Sequence, residues 1–310
     1  MLIKISIVVS AFYFIYAKLT KNAALEFSQF WSFLNKNDAF SIKTVFFLVI
    51  LSSFNWFFEI LKWQYLVKTL KPFGFISALE QSLGGHTAAV MTPNRIGDYG
   101  AKALFFAKSL RPKILLLNLL GHMAQMTITV LFGSVGLILF VQQYQLNFNY
   151  HKMIPPLVLL FMFGVILVVI LKQKRFKIKG FSVTALMEFT RTIPFKIHGF
   201  NLAFSLIRYL IFSFQFYYLL VLFGVPLTYY DAMIIITSMY LLASVMPTIS
   251  IFDVIIKGSI AVFLFGFADI NELTILSITS LMWLLNFVIP SIFGSYFVLN
   301  FKLPKPLEPC

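Results

Sequence analysis

From Ile114 to Tyr150 the chain runs for 37 residues without an Asp, Glu, Lys or Arg. About 20 helical residues, at 1.5 Å each, cross the roughly 30 Å hydrocarbon layer of a bilayer. A run of this length therefore predicts a membrane span followed by a loop. Similar uncharged runs predict spans at 5–17, 44–58 (extending to about 67), 153–171, 209–230 and 273–301. The composition agrees. Hydrophobic residues make up 60% of the chain and charged residues only 12%, against about 25% charged in soluble domains. The fold class is all-α, a polytopic transmembrane bundle forming one domain over 1–310. The first run resembles a signal peptide, but no small-residue cleavage site follows it, so it is read as a span.

Lys and Arg number 25 against 11 Asp and Glu. They sit in short clusters between apolar runs, as in cytoplasmic loops, and no nucleic-acid partner is expected. The densest cluster, 172–179, belongs in the cytoplasm. That orientation places both termini, Lys62, Lys68, Lys71 and 111–113 inside, and 142–151 and the acidic stretch at 267–272 outside. The first external loop, with Lys18, Lys21, Lys36 and Lys43 against Glu26 and Asp38, fits this scheme badly. Cys310 is the only cysteine, which excludes an intramolecular disulfide and a thiolate cluster. Walker, HExxH, CxxC and dinucleotide fingerprints are absent, and His is too scarce for a multi-His metal site. No cofactor, metal or catalytic activity is expected.

Two regions are too polar or too short for full spans. Residues 73–91 carry Glu80, Gln81, His86 and the pair Gly84-Gly85, and are followed by a short apolar piece at 101–110. Residues 231–246 and 254–267 form a similar pair. Both read as re-entrant hairpins, which survive at membrane depth only where protein or a water-filled cavity covers them. At an offset of 154, Pro72, Ala78, Ala89 and Pro93 meet Pro226, Ala232, Ala243 and Pro247. One residue further on, Asp98 and Lys102 meet Asp253 and Lys257. The element order repeats as well, giving two repeats, about 1–150 and 151–310. Each holds three spans and one broken hairpin. Three is odd, so the repeats insert with opposite orientation, a transporter architecture.

The stretch from Thr92 to Lys102 carries the chemistry. Pro93 ends the incoming helix, Asn94 and Gly97 suit a tight turn, and Asp98 reads as the cap of the outgoing helix with Lys102 one turn on. Arg95 has no local role. A solvated cytoplasmic turn would have this composition, and so would a cationic pocket suited to phosphate. Candidate ligand residues are Glu80, His86, Thr92, Asn94, Arg95, Asp98 and Lys102 in the first hairpin, with Asp253 and Lys257 in the second. Ionisable groups at membrane depth are functional candidates by default. Glu59 and Lys62, by contrast, read as an interfacial ion pair. Arg208 reads as a snorkelling side chain, and Asn118, His122 and Gln125 as interhelical hydrogen bonding.

The run Pro93-Asn94-Arg95-Ile96-Gly97-Asp98-Tyr99-Gly100-Ala101-Lys102 resembles the broken hairpin of the lysylphosphatidylglycerol synthase transmembrane, or flippase-like, family. Asp98 and Lys102 stand where that family usually has Glu and Arg, and Pro247 and Asp253 match its second half without the usual glycines. The resemblance implies a multi-span inner-membrane protein, here the membrane module without an aminoacyl-transferase domain. It also implies binding of an anionic or phosphate-bearing lipid head group and help in its translocation. The alternatives are a membrane-embedded enzyme acting on lipid-linked sugars or phospholipids, and an assembly partner of an envelope-biosynthesis enzyme.

Overall fold

The computed structural model describes residues 41–90, 92, 95–145, 183–246 and 253–303. Every regular element among them is helical. The expected spans at 5–17 and 153–171, the basic cluster at 172–179 and the expected hairpin tips Pro93 and Pro247 lie outside these residues.

The elements, in chain order, are α1 (Ile42–Val67), α2 (Phe75–Ala89), α3 (Ile96–Leu104), α4 (Arg111–Gln143), α5 (Val183–Thr192), α6 (Phe195–Leu222), α7 (Tyr229–Val245), α8 (Asp253–Gly266), α9 (Glu272–Trp283) and α10 (Ile289–Asn300), with a π-helical turn Leu284–Val288 joining the last two. Among the described residues four helices are long and apolar enough to cross a membrane: α1, α4, α6 and the composite Glu272–Asn300, of 26, 33, 28 and 29 residues. All four overlap expected spans. The remaining helices α2, α3, α5, α7 and α8 have 15, 9, 10, 17 and 14 residues. They reach about 13–26 Å, less than the hydrocarbon layer.

Their starts follow local chemistry. The Ser41 hydroxyl accepts from the Thr44 N–H at 3.3 Å and caps α1. Thr228 accepts from the Asp231 N–H at 3.2 Å, and Asn271 from the Leu273 N–H at 2.8 Å, with Asp231 and Glu272 in the positive first turns of α7 and α9. Two expected boundaries are corrected. The span placed at 209–230 is α6, which starts at Phe195. Charge-free runs missed it because Lys196 and Arg208 lie within the helix. The outgoing helix placed at 101–110 is α3, which begins at Ile96 and stops at Leu104.

Helix α1 packs along α6, α2 against α3 and α10, and α7 against α8 and α4. Small residues let two of these pairs approach closely. A side chain at Gly133 of α4 would strike Leu241 and the Thr237 carbonyl of α7. One at Gly294 of α10 would strike the Leu83 carbonyl and the Thr87 hydroxyl of α2. Thr87 also donates to the Ser291 carbonyl at 2.9 Å, fastening α2 to α10.

The distribution of polarity is inside out. Phe46, Val135, Phe293 and Tyr296 are 59–66% exposed. Lys62, Asp98, Lys102 and Gln215 are buried. An apolar exterior suits lipid. In hydrocarbon, polar groups must find partners within the protein.

Candidate anion-binding cleft

Side chains from five helices converge on one cleft. Its walls are Trp56 and Glu59 of α1, Ser82 and His86 of α2, Arg95, Asp98 and Lys102 at and within α3, His122 of α4 and Arg208 of α6. It offers about 270 Å³ of space outside the atoms, part of it open to solvent.

The α2–α3 turn sets the first half of the site. Thr92 donates to the Ala89 carbonyl at 3.0 Å and accepts from the Gly97 N–H at 2.8 Å. It thus satisfies the start of α3, the task expected of Asp98. Asp98 lies inside the first turn, and its side chain points away from the helix end. Its Oδ2 accepts from Lys102 Nζ at 3.1 Å, Asn118 Nδ2 at 2.9 Å and His122 Nε2 at 3.1 Å. Lys102 Nζ also donates to Asn118 Oδ1 at 3.0 Å and stands 4.6 Å from the centre of the Trp63 ring. Gly85 makes this possible, because any side chain there would occupy the place of the Asp98 carboxylate.

Arg95 precedes α3 with φ 59° and ψ 29°, the left-handed region. For a residue with a Cβ this conformation costs about 1–2 kcal/mol. Its Nη2 donates to His86 Nδ1 at 2.7 Å, while His86 Nε2 lies 3.1 Å from the Phe287 carbonyl. A guanidinium can only donate and a carbonyl can only accept. His86 is therefore the neutral tautomer with its proton on Nε2. Arg95 Nε is buried without a partner, as is the hydroxyl of Ser82. Among the described residues no carboxylate lies within 4.0 Å of Arg95.

The other half of the cleft departs from the expectation of exposed, unconnected charges. Glu59 and Lys62 are 2.7 Å apart with side chains 14% and 4% exposed, so they do not form an interfacial surface pair. Arg208 does not snorkel. It donates from Nη1 to Glu59, from Nε to Asn55 Oδ1 at 3.0 Å, and from Nη1 to Gln125 Oε1 at 3.3 Å. The usable signal was depth. Arg208 stands about 20 Å from either end of α6, too far for a side chain to reach an interface. The interhelical bonding expected of Asn118, His122 and Gln125 is present, directed at Asp98 and Arg208.

The π turn joins this network through Asn286. Pro290 has no N–H for the Asn286 carbonyl four residues back, and Trp56 Nε1 donates to that carbonyl at 3.2 Å. Asn286 also accepts from Asn55 Nδ2 at 3.0 Å and donates to Gln215 Oε1 at 2.9 Å.

Of the remaining candidates, Glu80 is half-buried on α2 and outside the cleft wall. Asn94 lies outside the described residues. Asp253 opens α8, with Lys257 one turn later, half-buried and outside the cleft wall.

Compared with models of protein families, with curated proteins and with solved structures, the chain matches none.

Proposed function

We propose that this chain binds the anionic head group of a membrane lipid in the cleft and assists its passage between leaflets. The observation that carries the reading is an excess of cations. Glu59 and Asp98 are already held by Lys62, Arg208, Lys102 and His122, and Arg95 stands over with no carboxylate and a spare buried donor. An unpaired charge at membrane depth costs at least about 2.5 kcal/mol. An anion that accepts from Arg95 and Ser82 offsets that cost. Both carboxylates are occupied by donors, which supports binding over acid–base chemistry.

The reading extends to the architecture of two inverted repeats with broken hairpins. Three correspondences support it. The long helices α1 and α6, which start at Ile42 and Phe195, pack on each other as halves of a two-fold pair would. The short helix of each half packs on the last span of the other, α2 on α10 and α7 on α4. The glycines join in the same register: Leu83 and Thr87 face Gly294, and Thr237 and Leu241, 154 residues further on, face Gly133. Gly133 and Gly294 are themselves 161 residues apart, the separation between the starts of α4 and α9 at Arg111 and Glu272. In this scheme Asp253 and Lys257 are the counterparts of Asp98 and Lys102. The protein resides in the inner membrane with both termini cytoplasmic, as the basic loops and the flippase-like motif imply.

Reconstitution in vesicles with a panel of head-group-labelled lipids tests the function. At least one anionic lipid should equilibrate between leaflets faster than in protein-free vesicles. If none does, the translocation reading fails.

A further inference from the structure

The balance of charge in the cleft says more than that its ligand is negative. Four cations, Lys62, Arg95, Lys102 and Arg208, stand against two carboxylates, Glu59 and Asp98, among the described residues. With His86 neutral, and before any charge on His122 beside Asp98, the cluster carries an excess of two positive charges. The unpartnered polar atoms on the cleft wall are donors as well: Arg95 Nε, and the hydroxyl of Ser82, a residue 2% exposed. A phosphodiester head group brings one negative charge and leaves the cluster one short of neutral. A phosphomonoester, whose second ionisation lies near pH 6, brings up to two and presents three strong acceptor oxygens. At low dielectric a single uncompensated charge weighs heavily, so the second charge governs selection.

We infer that the cleft selects a terminal, doubly ionised phosphoryl group, so that its ligand is a lipid phosphomonoester and not a phosphodiester phospholipid. This rests on the proposed head-group reading and narrows it. Arg95 takes one oxygen through Nε while keeping its bond to His86, and Ser82 takes another.

The test compares two lipids with identical tails, phosphatidic acid and phosphatidylmethanol. They differ by one methyl group and one charge. Binding to the purified full chain in detergent is measured by native mass spectrometry, above the second ionisation of phosphate. Phosphatidic acid should bind at least about tenfold tighter. Arg95→Gln should bring the two to within about twofold, and Lys68→Gln, at an exposed position outside the cleft, should leave the preference intact. Equal binding of both lipids by the parent overturns this inference while leaving a head-group site standing. No binding of either lipid overturns the head-group reading itself. Glycerol phosphate, tested alone, separates the sources. Binding of the lipid with none of the soluble ester supports the proposal. Binding of the soluble ester with no lipid assigns the dianion to a soluble ligand and overturns it. The parent comparison stands on its own if the Arg95 variant fails to fold.

Discussion

Arg208, midway along α6, and Glu59 of α1 form a largely buried ion pair that joins the two long helices. Lys62 supports the carboxylate, and Asn55 and Gln125 support the guanidinium. Removing one member of a buried pair leaves the other uncompensated and costs about 3–5 kcal/mol. Glu59→Gln and Arg208→Gln should each lower the apparent melting temperature in detergent strongly. The double variant should be more stable than the sum of the singles implies. Additive losses would mean that the pair is not coupled.

Arg95 is a different case, because its native conformation is unfavourable twice over. It holds a left-handed backbone that glycine adopts freely, and it carries a positive charge without a carboxylate. Arg95→Gly loses the bond to His86, worth about 0.5–1.5 kcal/mol, but relieves both costs. It should therefore melt at or above the parent temperature. A clear loss of stability would assign Arg95 a structural role and remove the case for a ligand.

The close helix contacts predict a graded glycine series. Gly294→Ala meets the backbone carbonyl of Leu83, and Gly133→Ala meets Leu241 near its main chain. Overpacking of this kind costs about 1–3 kcal/mol. Gly199→Ala, inside α6 with open space around it, should be neutral or stabilising by up to about 1 kcal/mol. Melting in detergent ranks the three, and equal effects would contradict the packing described.

Much of this was legible in the sequence where long-range partners were not needed. Charge-free length located four described spans, and polarity with short apolar pieces marked α2–α3 and α7–α8 as something else. The pairing of Asp98 with Lys102 followed from their one-turn spacing. What failed was the environment of single charges. Arg208 is isolated in the sequence because its partner Glu59 stands on another helix, 149 residues away. Asp98 looked like a cap because caps are local. Its donors Asn118 and His122 come from α4, and Thr92 had already met the end of α3. The π turn had one visible cue, Pro290 within an apolar run, which by itself does not distinguish a kink from a helix start.

Orientation has its own test at the two ends of α4. With Cys310 replaced by Ser, a cysteine at exposed Gln142 should react with an impermeant thiol reagent added outside intact cells, and one at exposed Ser109 should not. Ser109 should react once the membrane is opened. The reverse pattern would invert the proposed topology, and labelling of both from outside would show that α4 does not cross.

The most direct test of the account follows one anionic, head-group-labelled lipid in vesicles holding equal amounts of the parent or the Arg95→Gly protein, beside protein-free vesicles. The parent should move the label between leaflets faster than the empty vesicles. Arg95→Gly, inserted and at least as stable, should fall to the protein-free rate. Parent-like movement by the Arg95→Gly protein would contradict the claim that the unpaired guanidinium in this cleft receives the lipid.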